Sequence, residues 1–208
     1  GITGMVGSHL ADFLLENTDW NIVGMTRWRS PLDNLQHLIG KINNGKRISL
    51  VYGDLTDPIS LERMASETKF DFVFHLAAQS YPQTSFTAPL DTFTTNINGT
   101  MALLESIRLH SPNALIHVCS SSEVYGRVPA EFVPINENCS FHPASPYAIS
   151  KVGTDLVGRY FAEAYNMDIM CTRMFTHTGP RRGDVFAEST FAKQIALIEA
   201  GFSEPIIK

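Results

Sequence analysis

The sequence lacks the features that would tie a protein to a membrane or to nucleic acid. It contains no apolar run of about 18 residues, the length that a membrane-spanning helix needs, and no segment with the pattern of a signal peptide. Lys and Arg number 16 against 21 Asp and Glu, a net charge of -5, so general attraction to nucleic acid or to an anionic lipid surface is not expected. An anionic ligand would have to be held locally, by individual arginines and backbone amides.

Cysteine is also scarce. The three thiols, Cys119, Cys139 and Cys171, are widely spaced and odd in number, which argues against a disulfide framework, and no CxxC pair points to a zinc site. We therefore expect reduced, packed cysteines, no metal ion and a cytoplasmic location.

Apolar runs alternate with amphipathic helical patterns along the chain, which is typical of a parallel sheet with crossover helices. We predict an α/β fold with a Rossmann-type, doubly wound parallel sheet. The candidate strands are residues 20–26, 48–52, 72–76, 115–119 and 169–175. The candidate helices are residues 6–16, 58–66, 92–110, 146–165 and 188–200, with Asp57 and Ser145 as N-caps of the second and fourth.

The chain opens with a GxxGxxG motif that runs directly into the first candidate helix. Glycines let the backbone approach a pyrophosphate, whose charge is met by free amides and by the positive end of the helix. A turn that only packs a helix on a sheet is the alternative for so short a motif. The βαβ pattern that follows favours a dinucleotide site, formed here by Gly1, Thr3, Gly4, Met5, Val6 and Gly7.

The end of candidate strand 20–26 bears on the choice of cofactor. A carboxylate at this point binds the ribose hydroxyls of NAD, whereas arginine accommodates the 2′-phosphate of NADP. The residues here include Arg27 and Arg29 and no acid, which predicts NADP. A solvated loop is the alternative for both arginines.

Because no strand precedes Gly1, we expect the sequence to be a fragment that lacks its first strand and most of a C-terminal domain. On this interpretation residues 1–185 form an NADP-binding domain that carries the catalytic residues, and residues 186–208 begin a substrate-binding domain.

Two further turns follow candidate strands, at the sheet edge where ligands bind in open α/β folds. Asp54 could accept a hydrogen bond from the adenine amino group, and the small Ala77 and Ala78 would let a cofactor come close. Ordinary turn chemistry is the alternative for both segments.

Tyr147 and Lys151 are spaced i, i+4 on a helix with a clear start, so their side chains share a face. A neighbouring ammonium and an oxidised nicotinamide would both favour the phenolate and lower the tyrosine pKa, so that Tyr147 could take a proton from a sugar hydroxyl. An exposed i, i+4 pair is the alternative.

The run from Ser120 to Gly126, SSSEVYG, puts hydroxyls and the Glu123 carboxylate at the same edge of the sheet. A serine-rich turn with a solvated Glu is the alternative for this run.

Six motifs in order carry a family resemblance: GxxGxxG, HLAAQS, NINGT, SSSEVYG, SPYAISK and FTHTGPRRG. The chain resembles the extended short-chain dehydrogenase/reductases that act on nucleotide sugars. Ser-x-Glu together with PRRG is similar to the GDP-mannose 4,6-dehydratases, since epimerases generally lack this acid and dTDP-glucose dehydratases carry Asp-Glu there.

The resemblance implies an internal redox reaction. Tyr147 would remove the 4-hydroxyl proton as hydride passes from C4 to NADP, Glu123 would take the C5 proton, water would leave from C6, and the hydride would return to C6. Ser121 would polarise the 4-oxygen, and Lys151 would bind the nicotinamide ribose and tune Tyr147. The product would be GDP-4-keto-6-deoxymannose.

The resemblance also implies binding residues. It assigns cofactor contacts to Asp54, Leu55, Leu76, Ala77, Ala78, Gln79, Ser80, Tyr147, Lys151, His177 and Arg182, and substrate contacts to Ser85, Ser122 and Thr176. The alternatives are a packed core histidine for His177 and a helix-preceding cap for Ser85. A homo-oligomer, dimer or tetramer, is expected.

The chain departs from the family at Thr176, where Asn is frequent, and at residues 177–179, where HTG stands for HES and is similar to the 4-keto-6-deoxymannose reductases. A reductase or 4-epimerase is therefore one alternative function. A non-catalytic NADP-sensing protein is another, although such proteins usually lose the Tyr or the Lys.

Overall fold

A computed structural model describes residues 1–207 as parallel strands connected by helices. The strands are β1 Ile22–Thr26, β2 Ile48–Tyr52, β3 Phe72–His75, β4 Leu115–Cys119 and β5 Ile169–Thr172. The helices are α1 Met5–Asn17, α2 Ile39–Asn43, α3 Pro58–Glu67, α4 Pro82–Thr87, α5 Pro89–Phe93, α6 Gly99–His110, α7 Pro146–Tyr165 and α8 Ala187–Glu199. The α/β class and the parallel sheet are thus confirmed.

Most predicted elements end within two residues of the observed ones, and β2, β4 and α7 agree at both ends. The predicted strand 169–175 is too long, because its ladder stops where Thr172 pairs with Cys119, the last residue of β4. The predicted helix 92–110 is three segments, in which a π-helical turn, Thr94–Asn98, joins α5 to α6. Asp57 and Ser145 cap α3 and α7 as predicted.

The parallel strands form two sheets, β1–β2 and β3–β4–β5, where a single sheet was predicted. The edges of β1 and β3 face each other across a slot of about 520 Å³ that is lined by residues 19–25 and 68–77. At one end of the slot Trp20 stacks on Phe72 with ring centroids 4.3 Å apart. The slot separates the two sheets along these edges.

Gly1 lies between the two sheets at the carboxyl ends of their strands. Its amine donates to the carbonyl oxygen of Met25 at 3.2 Å, and a Cβ on Gly1 would come within 2.7 Å of the Ala77 nitrogen. Both sheets therefore present the carboxyl ends of their strands to one common edge.

The larger core packs α3, α6 and α7 on β3 and β4, around Leu61, Leu104, Ile107, Ile116 and Phe161. A smaller core lies between α1 and β2. Gly7, Ala11 and Leu14 form the buried face of α1, and Phe13 is 59% exposed.

Helix α8 follows the last strand and buries none of its side chains. The proposed domain boundary at residue 185 stays a prediction, and Lys208 at its far end lies outside the described residues. Within residues 1–207 no helix is long and apolar enough to cross a membrane.

Candidate active site

The glycine turn combines close packing with one open position. A Cβ on Gly7 would lie 2.3 Å from the Gly1 carbonyl oxygen, so Gly7 is required for packing. Gly4, the N-cap of α1, is exposed, and a Cβ there would meet no other atom closer than 3.5 Å. Packing does not explain a glycine at this position, whereas a ligand that comes close to the backbone does. The turn fits a pyrophosphate held against the N-terminal amides of α1.

The residues after β1 place positive charge at the same edge. Arg27 and Arg29 are both exposed, and Arg29 stacks on the Trp28 ring at 5.1 Å. Asp54, after β2, accepts hydrogen bonds from the amide and hydroxyl of Thr56 through one carboxylate oxygen. Burial opposes ionisation of Asp54, but the Thr56 hydrogen bonds and the two arginines outweigh it and lower the pKa of this carboxyl.

The segment after β3 is fixed by a buried amide in the π-helical turn. Asn96 accepts from the Gln79 amide at 2.8 Å and donates to the Gln79 carbonyl and to Ser150, both at 2.9 Å. The Gln79 side chain donates to Thr92 and accepts from the Tyr81 amide. The predicted run 76–80 thus lies at the edge with its backbone tied to α7 through Asn96.

Tyr147 and Lys151 are buried on α7, which rules out the exposed helix pair. The Lys151 ammonium donates to the carbonyl of Cys119, the last residue of β4, at 2.8 Å, and lies 6.0 Å from the centroid of the Tyr147 ring. Tyr147 makes a side-chain hydrogen bond with Ser121, which caps the short 3-10 helix Ser122–Tyr125. The end of β4 and the first turns of α7 therefore form one site.

Burial dominates the pKa of both members of this pair. It raises the pKa of Tyr147 to about 12, against a lowering effect of the Ser121 hydrogen bond. Burial also lowers the pKa of Lys151. The predicted lowering of the tyrosine pKa requires the ammonium and an oxidised nicotinamide together, so it stays a prediction.

Glu123 stands beside this pair and reaches solvent. Its carboxylate accepts a hydrogen bond of 3.5 Å from Ser145, the N-cap of α7. Partial burial raises the pKa of Glu123, and the Ser145 bond opposes this shift. A carboxylate with a raised pKa and access to solvent is suited to accept a proton from a ligand.

The segment after β5 folds over the glycine turn. The Asn34 amide donates to the carbonyls of Thr3 at 2.9 Å and Arg181 at 3.0 Å, and Arg181 pairs with Asp12 at 2.6 Å. These contacts bring residues from three parts of the sequence to one side of the edge.

Thr176 and His177 are exposed in this segment, so His177 is not a packed core histidine. Arg182 is directed towards α8, with its guanidinium 3.9 Å from the Phe186 ring centroid and 3.4 Å from Glu188. Its predicted cofactor contact stays a prediction.

Two predicted residues have their side chains inside the protein. Leu55 packs in the larger core, where its Cβ would lie 2.6 Å from a Cβ on Gly99. Ser85 lies within α4, fully buried, and donates to the Pro82 carbonyl, so it is not a helix-preceding cap. Ser122, Met5 and Val6 lie on the site's own turns, partly buried.

Asn96, Asp155 and Arg173 belong to the site but were not singled out from the sequence. Asn96 was quoted only as part of the NINGT motif. Asp155 is fully buried and ion-paired to Arg173, just beyond β5, at 2.9 Å. Asp155 had a detectable signal, because it is an acid on the apolar face of α7, one turn after Lys151.

This fold and this set of side chains define a dinucleotide-binding domain of the extended short-chain dehydrogenase/reductase class. The family model described as GDP-mannose 4,6 dehydratase matches residues 1–207, and the chain belongs to that family.

Curated relatives agree with this assignment. GDP-mannose 4,6-dehydratase sdnI of Sordaria araneosa is 38% identical over 98% of this chain, and GDP-mannose 4,6 dehydratase of Drosophila melanogaster is 36% identical over 95%. The chain spans 37% and 51% of the lengths of these two relatives.

Solved structures are similar over nearly the whole chain. RMD from Pseudomonas aeruginosa, complexed with NADPH, has a TM-score of 0.77 and 27% identity, covering 98% of this chain and 60% of its own. The dTDP-glucose 4,6-dehydratase DesIV of Streptomyces venezuelae, with NAD and TYD bound, has a TM-score of 0.80 and 25% identity, covering 97% and 61%.

Replacing Gly4 with alanine should weaken dinucleotide binding about tenfold or more and change the unfolding temperature little, because its Cβ position is open to a ligand and not to protein. Gly40→Ala, where no atom lies within 4 Å of the added Cβ, is the matched control. Binding titrations and thermal unfolding of the complete gene product measure both effects. Equal affinity in the Gly4 and Gly40 variants would contradict a close approach at Gly4.

Proposed function

We propose that this chain is the cofactor-binding and catalytic part of an NADP-dependent GDP-mannose 4,6-dehydratase, a hydro-lyase that forms GDP-4-keto-6-deoxymannose. One observation carries the proposal: Glu123 stands next to the buried pair of Tyr147 and Lys151, joined to their helix through Ser145. Loss of water requires a base for the C5 proton, which oxidation or epimerisation at C4 does not. The family and the curated relatives support the same reaction.

Each side chain has a role in this reaction. Tyr147 accepts the proton of the 4-hydroxyl, and Ser121, its hydrogen-bond partner, donates to the 4-oxygen. The resulting ketone acidifies the C5 proton, and Glu123 accepts that proton and passes it to the C6 hydroxyl, which leaves as water. The proton held by Tyr147 is then returned to C5 as C6 is reduced. Lys151 holds the nicotinamide ribose and orients Tyr147. A bound nicotinamide would supply hydride exchange with the sugar, as acceptor for C4 and donor for C6 in one turnover, so no net oxidant would be consumed.

The cofactor we propose is NADP. Arg27 and Arg29 stand exposed at the end of β1, with no acid among residues 25–30 to bind a free ribose hydroxyl. The similar RMD structure is complexed with NADPH, whereas the dTDP-glucose dehydratase has NAD bound. The glycine turn, Asp54, residues 76–80, His177 and Arg182 complete the proposed cofactor site. Ser122 and Thr176 are proposed substrate contacts, whereas the fully buried Ser85 is not.

The dehydratase reaction is tested by incubating the complete gene product with GDP-mannose and catalytic NADP. The sugar should lose the mass of one water with no net formation of reduced cofactor. Glu123→Gln should abolish this loss, because the amide cannot accept the C5 proton. The exposed Glu131→Gln change is the matched control and should retain activity. Steady consumption of NADPH with a keto sugar would indicate a reductase, and an unchanged mass would indicate an epimerase.

Arg27 and Arg29 should determine the preference for NADP. Because each guanidinium would bond the 2′-phosphate, at about 1.5–3 kcal/mol per charged hydrogen bond, Arg27→Met and Arg29→Met should each weaken NADP binding by about 10-fold to 100-fold. NAD, which lacks this phosphate, should bind unchanged. Calorimetric titration measures both affinities, with the exposed Arg127→Met as control. Equal losses for NADP and NAD would refute a role in phosphate recognition.

A further inference from the structure

A buried ion pair connects α7, the helix of Tyr147 and Lys151, to the residue that follows β5. Asp155, with no exposed side-chain surface, accepts from the Arg173 guanidinium at 2.9 and 3.2 Å and from Arg159 at 3.1 Å. Arg173 is 9% exposed and leaves β5 immediately after its last ladder pair. The pair therefore joins α7 to β5 one helical turn beyond Lys151.

The same guanidinium also reaches the turn that carries Glu123. One Arg173 nitrogen donates to the Tyr125 hydroxyl at 2.8 Å and to the Glu137 carbonyl at 3.0 Å. The guanidinium lies 5.3 Å from the Tyr125 ring centroid and 4.6 Å from that of Phe141. Tyr125 is itself buried and ends the 3-10 helix Ser122–Tyr125. Arg173 is thus bonded to α7 on one side and to the Glu123 turn on the other.

We propose that Arg173 is a positioning residue for Glu123, because it fixes the turn Ser122–Tyr125 at a set distance from α7. The proposal rests on the function proposed above and assigns Arg173 to one step of that reaction, the removal of the C5 proton by Glu123. Tyr147 and Ser121, which act at C4, are held directly by α7 and by the end of β4. Glu123 is exposed, and its side chain has the single 3.5 Å bond to Ser145, so its placement depends on the turn beneath it.

A purely structural role would give a different result. If Arg173 only stabilised the fold through its ion pair, its loss would lower the amount of folded protein. The rate of each step in the molecules that remain folded would be unchanged. Loss of a positioning contact slows proton removal from C5 and leaves hydride transfer from C4 at its normal rate. Kinetic isotope effects with substrate deuterated at C4 or at C5 distinguish these two steps.

Tyr125→Phe is the informative variant, because it removes the hydroxyl that Arg173 binds and leaves the Asp155 pair intact. In the complete gene product we expect kcat to fall about tenfold with KM nearly unchanged, as for a small misplacement of a reacting group. The C5 isotope effect should increase and the C4 effect should not. The double variant Asp155→Leu/Arg173→Met, which leaves no unpaired buried charge, should show the same pattern more strongly.

Arg159→Met is the matched control, since Arg159 also pairs with Asp155 and lies 5.7 Å from the Phe141 ring but is not bonded to Tyr125. Hydrogen exchange at residues 122–126, measured without substrate, should become faster in Tyr125→Phe and stay unchanged in Arg159→Met. Unchanged exchange in Tyr125→Phe, or equal slowing of the C4 and C5 steps, would overturn the proposal.

The exchange measurement separates this proposal from the proposed function. If the wild-type protein removed no water from GDP-mannose, the dehydratase proposal would fail and with it the assignment of Arg173 to the C5 step. Faster exchange in Tyr125→Phe would still support the anchoring of the turn by Arg173.

Discussion

Lys151 lies inside the protein with its ammonium bound to the carbonyl of Cys119, the last residue of β4. A buried charge without a carboxylate partner is costly, so this contact must be compensated by the packing around it. It fixes α7 against the end of β4 and thereby places Tyr147 over Ser121. The turn with Glu123 and the Asn96 side chain both bond to α7 or its N-cap, and Asp155 is part of this helix. The positions of all three therefore depend on this contact.

Gly1, rather than α7, is the residue that contacts both sheets at the carboxyl ends of their strands. Because the strands are parallel, each ends at the same edge, and side chains from distant parts of the sequence meet there without any local sequence signal. Gly1 contacts the end of β1 through Met25 and the end of β3 through Ala77, which no larger residue could do. The slot lies beside Gly1 between the two sheets, and the stacked rings of Trp20 and Phe72 lie at its other end.

Periodicity predicted the strands and long helices well, because each buries a face with its own repeat. It could not predict the π-helical turn Thr94–Asn98, which is wider than an α-helical turn. In this turn Asn96 bonds to both Gln79 and Ser150. The 3-10 helix Ser122–Tyr125 and the short helices α2 and α4 were missed because they are too short to show a repeat. Tyr147, Lys151, Ser121 and Glu123 were found from spacing and resemblance, and the structure brings them together. Arg173 was not found, since an arginine after a strand carries no signal until its partners on α7 and on the Glu123 turn are known.

Charge at the site explains why these residues act together. Burial raises the pKa of Tyr147 to about 12 and raises that of Glu123 as well, so the chain alone holds a protonated phenol beside a carboxylate with increased proton affinity. A phenol in this state is a poor base at neutral pH, so the reaction proposed above needs positive charge beside Tyr147. Under that proposal, deprotonation at C4 depends on a cationic group bound at the edge, whereas Glu123, already exposed, needs only to be placed correctly.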